Sequence, residues 1–180
     1  MSETLKAHPR RLREGFYDKW CKGKKILDIG YAGTGGQVMP GMDVTGLDKK
    51  TPGYNGRRLP YKDKTWDVIY SSHTLEHFRD DVEQIREQFR CTKVGGFVII
   101  FVPHQYLYEK KDSKPSRFNL EHYHFYTPAT LLTKIERALA KNTYRIRHLC
   151  DCDEGFDYSI PPEKHSVGEY AIECVIERLS

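Results

Sequence analysis

The chain has 180 residues, 38% of them apolar and 30% charged, with a net charge of +4. That balance is expected of a single soluble domain over residues 1–180, and no apolar run approaches the ~20 residues that a membrane span needs. The charge is too mild for an extended nucleic-acid stripe, so the basic groups at Arg10, Arg11 and Arg13, at Arg57 and Arg58, and at Lys110, Lys111, Lys114 and Arg117 are read as solvated surface.

The N-terminal stretch is charged and lacks the apolar segment of a secretory signal. Five cysteines (Cys21, Cys91, Cys150, Cys152, Cys174) show no C-x-x-C spacing, which predicts reduced thiols and a cytoplasmic protein. Residues 1–22 hold a leading helix, with Leu12, Phe16 and Trp20 recurring on one face. The run Ile26-Leu27-Asp28-Ile29 is a strand of about 25–30, ending in the glycines Gly30, Gly33, Gly35 and Gly36. A second strand, about 43–48, runs through Val44 and Leu47 into Asp48. A glycine turn at a strand end lets a ligand approach bare backbone, and an acid on the next strand tip can accept hydrogen bonds from ribose hydroxyls. A plain turn, with Asp48 capping it, is the other reading of the same residues.

Few residues separate these strands, Pro40 and Gly41 among them, and residues 51–64 are loop chemistry, so the helices after both strands are reduced. A third strand covers Trp66 to Ser71. Leu75, Phe78, Val82, Ile85 and Phe89 then follow at helical spacing. Val94-Gly95-Gly96 turns the chain into a strand from Phe97 to Val102, stopped by Pro103. Residues 104–127 are polar and aromatic, and a loop of that length is usually functional; it is the expected substrate-covering loop. Thr127 caps and Pro128 opens a helix to about Ala140. Strands at about 143–151 and 168–178 close the chain, the last alternating Ile172, Cys174 and Ile176 against Glu173 and Glu177 as if one face were wet. The expected fold is an α/β sandwich with a mostly parallel sheet and a C-terminal antiparallel hairpin.

The block Leu59 to Phe78, LPYKDKTWDVIYSSHTLEHF, resembles class I S-adenosylmethionine-dependent methyltransferases of the type 11 group, which share this Rossmann-like sandwich. The likeness runs over about residues 22–140 and includes Val94 to Ile100 and Asn119 to Pro128. The chain reads as a shortened member. The resemblance implies S-adenosyl-L-methionine as cofactor. It assigns the methionine part to Asp28, Gly30, Tyr31, Ala32 and Gly33, and the ribose to Asp48. It also places Ser72 and His73 at the cofactor. Two features depart from the family pattern. The loop reads D-I-G-Y-A-G-T-G-G where D-x-G-x-G-x-G is usual, and no acid stands two to four residues before Leu59, where Asn55-Gly56-Arg57-Arg58 are found. Adenine is then expected to meet backbone around Arg58 and Leu59, or Asn55.

Five of the eight histidines lie between 73 and 124. His73, His104, His122 and His124 are the candidates for a general base; His77, in Leu-Glu-His, is read as mainly structural. His122-x-His124 with His104 or Glu121 offers a metal alternative, but no resident metal is expected. The leading expectation is methylation of a small polar acceptor, at an oxygen of a sugar or related metabolite, in view of Tyr106, Tyr108, Tyr123 and Tyr126 in the long loop. A nucleic-acid or protein methyltransferase is the runner-up, though Ser71-Ser72-His73-Thr74 stands where base-amino methylating enzymes carry Asn/Asp-Pro-Pro-Tyr/Phe. A non-catalytic cofactor-binding subunit is the third reading.

Overall fold

The computed structural model describes residues 3–31 and 42–180. Two helices lead, α1 (Glu3–Arg13) and α2 (Phe16–Trp20), where one was expected; the chain breaks between them at Gly15, whose φ of 65° is left-handed. The strands are β1 (Ile26–Ile29), β2 (Val44–Leu47), β3 (Trp66–Ser72), β4 (Thr92–Pro103), β5 (Tyr144–Cys152) and β6 (Ala171–Arg178). Helix α3 (Asp81–Cys91) joins β3 to β4, and α4 (Pro128–Ala138) precedes β5. The described strands form one sheet of order β2-β1-β3-β4-β6-β5. The first four are mutually parallel, while β6 runs antiparallel to both β4 and β5. This is the expected mixed α/β sandwich.

Alternation along β4 builds the two core layers. Val98, Ile100 and Val102 meet Leu131 and Ile135 of α4 and Ile85 of α3 on one face. Ile99 meets Phe16, Tyr17 and Trp20 of α2 on the other. The Thr127 hydroxyl accepts from the Thr130 N–H, with Pro128 in the first turn, as its sequence position suggests. Among the described residues no helix is long and apolar enough to cross a membrane.

Two expectations fail for physical reasons. The helix expected from Leu75 is instead a single 3-10 turn, Leu75–His77, followed by extended Phe78. Asp80 then restarts the helix, its carboxylate accepting from the Glu83 N–H at 3.0 Å. The wet face of β6 is also absent: Glu173 is fully buried, as is Arg11, and Arg10 nearly so. Helix α1 lies over β6. Arg11 Nε donates to Glu173 at 2.5 Å and its Nη1 to the Tyr70 hydroxyl at 2.6 Å, while Arg10 donates to Glu173 and Glu169. Two of the supposedly solvated basic residues are therefore core. Burial pushes the Glu173 carboxyl up, but Arg11, His148 and Arg10 together prevail and hold it at about 2.

Glu173→Gln strands two buried guanidinium groups and is expected to cost about 3–5 kcal/mol in a denaturant melt at pH 7. In the wild type this stability is full above the ordinary carboxyl value of 4.5 and drains as the pH falls towards about 2. An unchanged midpoint in the variant would show that the network carries no net stability.

Candidate functional site

The parallel strands β1, β2 and β3 end at one edge of the sheet, and a cleft of about 480 Å³ opens there. Gly30 lies at the end of β1 with φ +85°, its N–H bonded to the Leu47 carbonyl at 2.8 Å. A Cβ at Gly30 would stand 2.0 Å from Thr74 Oγ1. That hydroxyl lies 3.1 Å from the Ile29 carbonyl and 2.9 Å from the Ser72 carbonyl, so it ties the ends of β1 and β3 together. Tyr31 lays its ring on Gly46, where a Cβ would come within 2.2 Å of it. Both glycines therefore leave room that any side chain would fill.

Asp48 lines the cleft at the tip of β2. Its Oδ1 accepts from the Lys50 N–H at 2.9 Å, so the carboxylate caps a turn while also facing the cleft. Tyr54 lines the same cleft, and its buried hydroxyl has no hydrogen-bond partner among the described residues. Asp28 is buried one residue before the cleft-lining Ile29, and burial raises its carboxyl to about 7. Ala32 and Gly33 lie outside the described residues. Arg58 and Leu59 line a separate hollow with Asn55 and Arg90. There the Leu59 N–H donates to Glu87 at 3.0 Å, and the Arg58 N–H to Asn55 at 3.1 Å. Ser72 bonds the Thr4 hydroxyl at 2.7 Å.

The histidines divide into two groups. His73 follows β3 with φ +47°, a conformation that residues other than glycine seldom adopt. Its N–H donates to Phe101 at 2.7 Å, and burial lowers its pKa to about 3. Its Nδ1 stands 3.7 Å from Glu76 Oε1, while Nε2 of His77 and Nε2 of His122 each stand 3.9 Å from the same oxygen. Burial pushes the Glu76 carboxyl up to about 8 and the His77 pKa down. His73 and His77 line the cleft, and Glu121 and Tyr123 reach it from the long loop.

His104 and His124 stand apart from this group. His104 Nδ1 accepts from the Tyr106 and Leu107 N–H groups and caps the π-turn Gln105–Glu109. His124 is held between the Arg79 carbonyl and Asp81. Sequence reasoning passed over Tyr54, Thr74 and Glu76. Tyr54 stood as a lone aromatic in a Gly/Pro/Asn loop, and His73-x-x-Glu76-His77 was the spacing that could have drawn attention to Glu76.

An acid, an unpartnered phenol and bare glycine backbone in one cleft suit the hydroxyls and polar edge of a nucleoside. The methyltransferase domain family matches residues 28–100. A demethylmenaquinone methyltransferase of Streptomyces griseus is 36% identical over 74 residues, 41% of this chain; the match spans only 29% of that protein's length. An S-adenosylmethionine-dependent methyltransferase from Archaeoglobus fulgidus superposes with a TM-score of 0.60 at 16% identity, covering 95% of this chain and 94% of that one. Another from Thermotoga maritima gives 0.55 at 13% identity over 100% of both chains. At such identities the superpositions establish the fold. S-adenosyl-L-methionine is the cofactor that the family match implies, and the cleft's donor set fits it. Residues 28–100 thus match the methyltransferase domain family, and the chain has the fold of S-adenosylmethionine-dependent methyltransferases.

Proposed function

We propose that the chain transfers a methyl group to an oxygen of a small polar acceptor, a sugar hydroxyl or a related metabolite, in the cytoplasm. The observation that carries this reading is the cleft itself, lined by Asp48, by Tyr54 with its unpartnered hydroxyl and by His73. When bound, the cofactor supplies an already activated methyl group, so the protein's part is to bind, to orient and to receive a proton. Asp48 accepts from the ribose hydroxyls, and Tyr54 gives its hydroxyl to the nucleoside. Gly30 keeps bare backbone beside the methionine part, and Asp28 is the counter-charge for its ammonium. As the acceptor oxygen takes the methyl group and the sulfonium S–C bond breaks, its O–H proton passes to the neutral His73 ring and from there to solvent. Residues 104–127, with Glu121 and Tyr123 at the cleft, cover the acceptor.

Calorimetry with S-adenosylhomocysteine tests the nucleoside end. Asp48→Ala is expected to weaken binding by roughly 1.5–3 kcal/mol, because charge-assisted bonds are lost, and Tyr54→Phe by about 0.5–1.5 kcal/mol. Equal affinity in both variants would move the cofactor out of this cleft.

The buried carboxyl of Asp28, raised to about 7, is mostly protonated at pH 6. Partnering an ammonium requires the charged form, so binding at pH 6 should release up to about one proton. Buffers of different ionisation enthalpy read that number, and Asp28→Asn should abolish it. The same release from both proteins would remove Asp28 from the methionine contact.

Asparagine tolerates left-handed backbone, so His73→Asn preserves the turn. Turnover on the true acceptor is expected to fall about 100- to 10,000-fold with cofactor affinity retained. Near-normal turnover would leave orientation alone as the source of rate.

A further inference from the structure

Glu76 is fully buried on the turn Leu75–His77, and neither of its carboxylate oxygens has a hydrogen-bond partner among the described residues. A carboxylate so placed is strongly disfavoured unless a cation meets it. The His77 and His122 rings supply no hydrogen to it. His77 Nδ1 lies 3.1 Å from the Glu121 backbone carbonyl, which can only accept, so the ring proton sits on Nδ1. His122 Nδ1 lies 2.8 Å from Glu109 Oε1. The other Glu109 oxygen accepts from the Ser116 hydroxyl at 2.6 Å and the Arg117 N–H at 3.2 Å, so Glu109 acts as a carboxylate and His122 also donates from Nδ1. With the Nδ1 proton of each ring so engaged, Nε2 is the atom each imidazole has left to offer a cation.

Both Nε2 atoms point at Glu76 from 3.9 Å, too far for a hydrogen bond. Ligands of a tetrahedral ion with bonds of ~2.1 Å lie ~3.4 Å apart, so modest side-chain adjustment closes the set. One ligand atom from each of Glu76, His77 and His122 falls within a mutual 4.8 Å. Glu109 behind His122 and the Glu121 carbonyl behind His77 are the outer partners that fix the tautomer of metal-binding histidines.

We propose that Glu76, His77 and His122 bind one divalent transition-metal ion, of which Zn²⁺ best suits a set of two imidazoles and a carboxylate. This differs from the pairing suggested by His122-x-His124, since His124 is engaged by Arg79 and Asp81. His73 and His77 line the cleft, so the ion stands in its wall with its open position beside His73. An acceptor hydroxyl ligating it there would become more acidic. That role rests on the methyl-transfer reading; the binding site does not.

A second cluster, His148, Cys150 and Glu173, is the competitor for added metal, although Arg10 and Arg11 already occupy Glu173. The test is therefore made on chelator-stripped Cys150→Ser protein, titrated with Zn²⁺ alone by calorimetry and with Co²⁺ by visible absorption, without cofactor. One equivalent of Zn²⁺ is expected, with Co²⁺ giving the bands of nitrogen and oxygen ligands. Glu76→Gln and His122→Ala should each weaken binding at least ~100-fold, and Glu109→Gln ~10- to 100-fold. His77→Gln, at a partly exposed position, decides the matter if the buried variants fail to fold. Zn²⁺ should raise the melting temperature of the parent but not of His77→Gln. Absence of stoichiometric binding, or binding and melting shifts unchanged by His77→Gln, overturns the proposal.

Discussion

The cleft depends on the meeting of Gly30 and Thr74. The Thr74 hydroxyl is within hydrogen-bonding reach of the last carbonyl of β1 and of Ser72 at the end of β3, and the glycine's missing side chain lets the two strand ends approach. That contact fixes the edge from which everything functional is hung. To one side β2 carries Asp48; to the other, the chain leaves β3 through left-handed His73 into the turn bearing Glu76 and His77. A side chain at Gly30 would separate the strand ends and with them Asp48 from His73.

A second constraint is charge held inside the sandwich. Glu173 in the middle of β6 is buried against Arg10 and Arg11 of α1, so the N-terminal helix is attached to the sheet by ion pairs as well as by apolar packing. Glu76 presents the opposite case, a buried carboxyl group without such partners. One fold thus contains a satisfied buried acid far from the cleft and an unsatisfied one at its wall. The physical penalty for the latter is what makes it the more informative of the two.

Much of the sheet was legible from sequence, because β1, β3 and β4 are apolar runs stopped by glycine, polar residues or proline. Thr127-Pro128 likewise announced α4. The break after His77 was not legible: Phe78 and Val82 keep the helical period, and only the competition from Asp80 as a cap ends the first turn. Arg10 and Arg11 looked solvated because local charge clustering carries no information about a strand some 160 residues away. Tyr54 escaped notice for a related reason, since a phenol's lack of a partner is a tertiary property. The five clustered histidines were visible, but which of them share a site depends on how residues 104–127 fold back to bring His122, rather than His104 or His124, against Glu76.

The central claim is that the edge between Asp48 and His73 is where cofactor and acceptor meet. A crystal structure with bound S-adenosylhomocysteine tests it most directly. The account predicts ribose hydroxyls on Asp48, the nucleoside beside Tyr54, and the sulfur's vacant methyl position facing His73. A nucleoside seated instead in the hollow around Arg58 and Leu59, with Asp48 left free, would contradict it.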